Sequence, residues 1–361
     1  MLQYRGNSKK GGYVENTRRK KNIMRRVTIA DKVDEIFVAS SKAKNDVRQI
    51  FLDYGYQSIA DFDKCGKNIV GKLWLSFQTI QKAKRKLHDE DVLIMAYPSI
   101  IIPSILRVKK RKNVKIILLI MDLNGFAPDK LKAEVELLNK ADVIISHNIH
   151  MSDKLREFGC TVGIVELEIF DYLLNDLPAE KNYVKGEKIQ IDWPGRISDS
   201  RTGFIRKVEK MNTNYVLNLY GPTEDQFENS VVYKGCFEPD ELPWKLEGQF
   251  GMIWQGMDMK PSVTEWDYFR YNNPHKTSLF SVCCRPIIIW SGAAMADFVQ
   301  KYDIGIVVDD LSNLDEILNS ITAERYNKMK SNMKAVQIKL ASGEFTKEAI
   351  RKEEKLLGIE A

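Results

Sequence analysis

Short apolar runs rich in β-branched residues alternate with longer stretches of helical periodicity along most of this chain. That alternation constrains the fold more than any other feature. Runs at 35–39, 92–96, 114–121, 143–145 and 162–165 read as strands, and segments 45–54, 71–87 and 128–140 read as helices between them. Strands with few polar positions are buried on both faces, which calls for a parallel sheet covered by helices on each side. A polar stretch at 171–188, with Pro178, Lys181, Asn182, Lys185 and Gly186, interrupts the pattern as a linker. The alternation restarts with strands at 188–191, 216–219, 231–233, 251–254, 286–290 and 304–308. A last long helix carries Tyr326, Met329, Met333, Val336 and Leu340 at spacings of three and four, and 347–357 reads as one more helix. The expectation is an α/β protein of two doubly wound domains: a basic N-terminal arm at 1–32, one domain at 33–175, and a second at 176–361 that includes the C-terminal helices. Ligands of open α/β sheets bind beyond the carboxyl ends of the strands, so chemistry is expected just after strands, in a cleft between the domains.

A chain of 361 residues, 44% hydrophobic and 29% charged, suits two packed soluble domains. No apolar run approaches the roughly 20 residues that span a bilayer. The basic N-terminus lacks the apolar core of a signal peptide, which predicts a cytoplasmic protein. Five cysteines, at 65, 160, 236, 283 and 284, are odd in number and form no CxxC pair, so reduced thiols are expected. Residues 1–32 hold ten Lys/Arg against Glu15 and Asp31, which exceeds the net charge of +6 for the whole chain. Such an arm can touch nucleic acid or anionic lipid, or be a solvated extension. The remainder is close to neutral, which disfavours a nucleic-acid partner.

Among candidate sites, Tyr271-Asn272-Asn273-Pro274-His275-Lys276-Thr277-Ser278-Leu279 stands out. It reads as a helix start with Asn273 as N-cap and Pro274 as the first helical residue. Cations at His275 and Lys276 are disfavoured at the positive end of a helix dipole. Free N–H groups, a lysine and the hydroxyls of Thr277 and Ser278 together suit a phosphate, although a capped surface helix has the same ingredients.

Other candidates follow strands of the second half. Gly195 lets backbone approach a ligand, and Arg196 can pair with phosphate. Tyr220-Gly221 and Tyr233-Lys234-Gly235 end the next two strands and could support a nucleobase. Gln255 and Asp258, after the 251–254 strand, suit sugar hydroxyls, while Trp254 suits core. In the first half, Asp122 and His147 each follow a strand; either could serve as general base, Asp122 could equally cap a turn, and His147 could be structural. Asp61-Phe62-Asp63 has the DxD form that holds a metal in some enzymes, but it stands alone and reads as a cap or loop. The chain has no GxxxxGK[ST], and no GxGxxG follows its first strand, so ATP hydrolysis and NAD chemistry lose support.

Taken together, Ser146-His147-Asn148 with Met151 and Leu155, Ile169-Phe170-Asp171-Tyr172-Leu173, Gln249-Phe250-Gly251-Met252-Ile253-Trp254, the 271–279 stretch, and Ile289-Trp290 with Ala293-Ala294-Met295-Ala296-Asp297-Phe298 resemble bacterial galactofuranosyltransferases of O-antigen and capsular polysaccharide synthesis. The chain is similar, more distantly, to glucosyltransferases that extend O-linked GlcNAc on serine-rich streptococcal adhesins. The resemblance covers about residues 33–340 and is strongest over 249–298. It implies a GT-B fold of two facing Rossmann-like domains, a UDP-sugar donor held mainly by the second, and no essential metal or other cofactor. It implies that Lys276 and the adjacent helix start hold the diphosphate, and it matches Gly195 and Arg196 to the loop after the first strand of the donor domain. Asp122 stands where relatives carry an acid, but Met121 replaces the histidine that often precedes it.

The implied reaction is single displacement, with galactofuranose moving from UDP-galactofuranose to a hydroxyl of a lipid-linked oligosaccharide. The alternative is UDP-glucose or UDP-galactose transfer to a polysaccharide or glycoprotein glycan; from another class, a non-catalytic nucleotide- or nucleic-acid-binding module. A lipid-linked acceptor places the protein at the inner membrane face. Leu73, Trp74, Leu75 and Phe77 mixed with Lys72, Lys82, Lys84, Arg85 and Lys86, and the basic loop 107–112, fit an anionic lipid surface or a domain helix with a solvated face.

Overall fold

The computed structural model describes residues 24–32, 39–63, 68–109, 111–182, 188–198, 202–261 and 268–359, with the backbone alone at 30–32, 39, 40, 62 and 63. The first half runs β1 (Arg26–Lys32), α1 (Ala39–Asp53), β2 (Gln57–Asp63), α2 (Ile69–Lys86), β3 (Val92–Tyr97), α3 (Ile102–Lys109), β4 (Lys115–Ile120), α4 (Pro128–Leu138), β5 (Val143–Ser146), α5 (Ile149–Glu157) and β6 (Gly163–Glu166). The second runs β7 (Ile189–Pro194), α6 (Gly203–Glu209), β8 (Tyr215–Tyr220), β9 (Val231–Gly235), α7 (Leu242–Lys245), β10 (Phe250–Ile253), α8 (His275–Val282), β11 (Ile287–Trp290), α9 (Met295–Lys301), β12 (Gly305–Val308), α10 (Leu314–Ser320), α11 (Ala323–Ala341) and α12 (Glu344–Leu356). The strands form two six-stranded sheets, ordered β2-β1-β3-β4-β5-β6 and β12-β11-β10-β7-β8-β9. Every pairing is parallel. Buried Ile, Leu and Val fill both faces of the central strands, as parallel sheets require.

Two strands of the first sheet depart from expectation. The run at 35–39 lies outside the described residues except for Ala39, which opens α1. The first strand is instead β1, inside the stretch read as a basic arm, and it lies between β2 and β3 with Val27 and Ile29 buried. Its flanking arginines concealed it, and they are not a solvated arm. Arg25 pairs with Asp91 at 2.7 Å, and Arg26 with Glu354 of α12 at 2.5 Å. Residues 1–23 of the arm lie outside the described residues. β2 mixes polar and apolar positions, as befits an edge strand. Asp61-Phe62-Asp63 therefore closes a strand instead of capping a helix; Asn68 caps α2 by accepting from Gly71 N–H at 2.9 Å.

The stretch read as a linker begins inside the core. Asp171 and Tyr172 are buried, and the Asp171 carboxylate accepts from the N–H groups of Phe345 (3.2 Å) and Thr346 (2.7 Å) at the start of α12. Burial pushes this carboxyl up to about 7. So capped, α12 returns across the boundary: Ala349 and Ile350 pack with Ile117, Val143 and Ile145 of the first sheet. The C-terminal helix, expected with the second domain, thus packs on the first sheet, while Phe345 at its start joins the core of the second. Its apolar face had no assignable partner in the sequence. Cys160, Cys283 and Cys284 are buried free thiols and Cys236 is exposed, while Cys65 lies outside the described residues.

Candidate active site in the interdomain cleft

The carboxyl ends of β7, β8 and β9 are joined by glycines. Gly195 N–H donates to Tyr220 O at 2.7 Å, and Gly221 N–H to Gly235 O at 2.9 Å. Gly221 has φ +143°, and a Cβ there would collide with the carbonyl oxygen of Gly195. Only glycine allows these backbones to lie so close. A Cβ on Gly195 would stand 2.9 Å from both Lys276 Nζ and Trp193 Cη2, so this glycine makes room for the lysine.

Lys276 lies in the first turn of α8. The N-cap is Pro274, one residue later than expected, with extended backbone (φ −63°, ψ 130°) and no capping side chain. The N–H groups of His275 and Lys276 therefore precede the first helical bond. Lys276 Nζ sits 3.9 Å from the centre of the Trp193 ring, and among the described residues it has no hydrogen bond or ion pair. Burial pushes its ammonium down to about 7. Trp193 is locked by its own Nε1–H bond to Trp254 O at 2.8 Å, which confirms Trp254 as core. A cation at the positive end of a helix, desolvated and unpaired, is stabilised by a bound anion on every count.

Upstream of α8, residues 271–273 tie the domains together. Tyr271 stacks on Phe126 with centroids 4.5 Å apart. Asn273 is not a helix cap because its side chain is engaged elsewhere. Its Nδ2 donates to His147 O (2.8 Å) and Glu168 O (3.1 Å), and its Oδ1 accepts from Asn148 Nδ2 (2.7 Å). Asn272 Oδ1 has no partner among the described residues. Ser278 Oγ donates to Phe170 O at 2.6 Å, while the buried Thr277 hydroxyl has none. His275 stacks on Tyr172 at 4.9 Å, and burial lowers its imidazole to about 4. Asn273, His275 and Ser278 therefore hold the α8 start in place, and Lys276 projects from it.

The two candidate bases differ sharply. His147 is 1% exposed, and its Nδ1 accepts from Asn273 N–H at 3.0 Å. Burial lowers it to about 4, so it stays neutral. An acceptor in the cleft cannot reach it, which corrects its reading as a base; it is a structural pin between the domains. Asp122 is exposed at the carboxyl end of β4. Its Oδ1 accepts from Leu123 N–H at 2.8 Å, as a turn cap would, and from the Tyr268 hydroxyl across the cleft.

The remaining candidates scatter. Tyr220 is buried, its hydroxyl donating to Asp192 at 3.1 Å and accepting from Glu247 N–H at 3.1 Å, so it supports the floor and does not line the site. Asp258 is paired with Lys207 of α6, which removes it from the sugar-binding role expected. Arg196 is exposed and has no ion pair among the described residues; Gln255 is half-buried after β10, and Tyr233 is exposed on the edge strand β9. Trp193, Phe126 and Tyr268 escaped the sequence reading. Trp193, just before Pro194-Gly195, was the one with a signal: an aromatic at a strand's carboxyl end.

Two facing parallel α/β sheets with a cleft at their carboxyl ends define the GT-B fold, and it is shared with known structures. Sucrose-phosphate synthase from Thermosynechococcus elongatus superposes with a TM-score of 0.65 at 12% identity, over 93% of this chain and 100% of that one. Anabaena HepE in complex with UDP-glucose gives 0.57 at 12% identity, over 91% and 99%. The chain is a glycosyltransferase. The glucosyltransferase 3-like N-terminal domain matches residues 27–169 and the C-terminal domain of the same family matches 195–353, and the chain belongs to that family. Beta-1,6-galactofuranosyltransferase WbbI of Escherichia coli K12 is 29% identical over 323 residues, covering 86% of this chain and 93% of that protein. Glucosyltransferase 3 of Streptococcus gordonii is 25% identical over 225 residues, covering 60% and 62%. No described helix is long and apolar enough to cross a membrane.

Proposed function

We propose that this glycosyltransferase moves galactofuranose from UDP-galactofuranose to a sugar hydroxyl of a lipid-linked oligosaccharide, by single displacement without a metal. Asp122 takes the proton of the acceptor hydroxyl, whose oxygen bonds to the anomeric carbon. The bond from that carbon to the β-phosphate oxygen breaks, and UDP leaves with the electron pair. Lys276, the first N–H groups of α8 and Arg196 stabilise the charge that builds on the diphosphate, the role a divalent ion has in other enzymes. The observation that carries this reading is the unpaired, desolvated Lys276 between the α8 start and the glycine-linked strand ends. The likeness to WbbI supports galactofuranose. The likeness to glucosyltransferase 3 supports glucose as the second reading.

Calorimetric binding of UDP, UDP-galactofuranose, UDP-glucose and UDP-galactose, with and without EDTA, tests this in wild type and Lys276→Ala. The expected result is EDTA-insensitive binding, tightest for UDP-galactofuranose and weakened by Lys276→Ala. Tightest binding of UDP-glucose moves the assignment to the second reading. If no UDP species binds, the donor site is wrong.

A further inference from the structure

We propose that the exposed face of α2, with the cationic cavity between α2 and α3, seats the N-terminal domain on an anionic phospholipid bilayer. This goes beyond the donor-site reading and does not depend on it. Ile69, Val70, Leu73, Trp74 and Phe77 recur at one, three and four residues and so share one face of the helix. None is covered: Leu73 and Trp74 are each 61% exposed and Phe77 is 53% exposed, with the two rings stacked 6.0 Å apart. Contiguous exposed aromatic and aliphatic side chains of this kind mark an interaction surface.

Further along the helix the character changes from apolar to cationic. Lys84 lines an open cavity of about 560 Å³ with Ser104, Arg107, Val108, Arg111 and Lys112, and among the described residues no carboxylate lines it. Lys112 Nζ is held by the carbonyls of Lys84 and Leu87, whereas Lys84, Arg107 and Arg111 have no acidic partner among the described residues. The acidic turn after α2 is engaged elsewhere, Asp89 and Glu90 with Asn113 and Asp91 with Arg25. The cavity therefore offers unneutralised guanidinium and ammonium groups to a phosphate, as a lipid headgroup would supply.

Charge selects the occupant. A second copy seated on the apolar half would leave this cationic cavity without an anion. Residues 1–23, with seven Lys/Arg and one Glu, would be repelled by it. An anionic bilayer satisfies both halves, its acyl boundary taking Trp74 and Phe77 and its phosphates the cavity. The topology orients the domain usefully. α2 starts after the carboxyl end of β2, on the cleft side, and its 18 residues run back about 27 Å. The apolar half thus lies toward the cleft and the cationic half away from it. A glycan still attached to its lipid would reach the cleft from the membrane-inserted side.

The test is co-sedimentation of the full chain with vesicles of phosphatidylcholine alone or mixed with phosphatidylglycerol. Wild type should pellet with the mixed vesicles and be released by high salt. Arg107→Gln with Arg111→Gln should lower that partition by about 25-fold, some fivefold for each charge. Trp74→Ser with Phe77→Ser should lower it on the order of tenfold or more. UDP binding, measured in parallel, should be unchanged in both variants, which reports their folding independently of vesicles. Wild type remaining in the supernatant, equal partition to both vesicle types, or variants that pellet like wild type would each overturn the proposal. So would a solution dimer that Trp74→Ser with Phe77→Ser abolishes, which would assign the face to a second copy.

Discussion

The two sheets present their carboxyl ends to one cleft, yet they are built differently there. On the second sheet, Gly195, Gly221 and Gly235 are locked by backbone bonds, and Lys276 is held against Trp193 without a counter-ion. On the first, Asp122 is exposed, and its contact across the cleft is a side-chain bond to Tyr268. One side is preorganised for an anion, and such sites need little rearrangement as charge develops. The other is bridged by the hydrogen bond between the Tyr268 hydroxyl and Asp122. In the proposed reaction, donor recognition would rest on the locked backbone of the second sheet and acceptor activation on an exposed side chain of the first.

The largest effect should come from the first sheet. Asp122→Asn removes the proposed base and should lower kcat by about 10²–10⁴-fold, with UDP affinity unchanged by calorimetry. Turnover near wild type would move the base elsewhere and dissolve the division of labour. On the second sheet, Lys276→Ala should lower kcat/KM by about a hundredfold, from the loss of roughly 3 kcal/mol of leaving-group stabilisation. A change confined to KM would mean that Lys276 only binds ground-state diphosphate.

The pH dependence of UDP binding sharpens the same side. Lys276 lies at about 7 in the empty protein, below its ordinary 10.5, because burial disfavours the ammonium. The empty site therefore favours the neutral amine above about pH 7, and the folded protein gains stability as pH rises from there towards 10.5. A bound diphosphate favours the ammonium and raises the pKa again. UDP binding should thus take up a proton above pH 7, and affinity should fall by about tenfold per pH unit until the pKa of the complex is reached. Calorimetry in buffers of different ionisation enthalpy measures the uptake; none at pH 8 would remove Lys276 from the diphosphate.

The smallest effect tests the closed bond. Tyr268→Phe deletes a hydrogen bond worth about 1 kcal/mol and should raise kcat/KM about fivefold if the bond must open. A fall would instead show that Tyr268 positions Asp122 for its task.

How far the sequence alone reached depended on the range of the interactions. The apolar runs of β3, β4, β5 and β11 were legible, because a strand buried on both faces needs continuous apolar residues whatever lies beside it. β1 was not, because its arginines are matched by Asp91 and Glu354, which lie 66 and 328 residues away. The α8 start was legible as a helix start that carries Lys276, because cations at a helix N-terminus are anomalous locally.

The sequence by itself determined two parallel α/β sheets, glycines where their strands end, and a lysine at a helix start, since each follows from short-range backbone preference and hydrophobic periodicity. Only the tertiary structure decided that His147 is a buried pin, that Asn273 bridges domains instead of capping a helix, that Tyr268 closes on Asp122, and that α12 crosses back to the first sheet. Those outcomes depend on burial and on pairings between distant residues. Burial sets whether an imidazole or an ammonium can be charged, and it is a property of the packed whole.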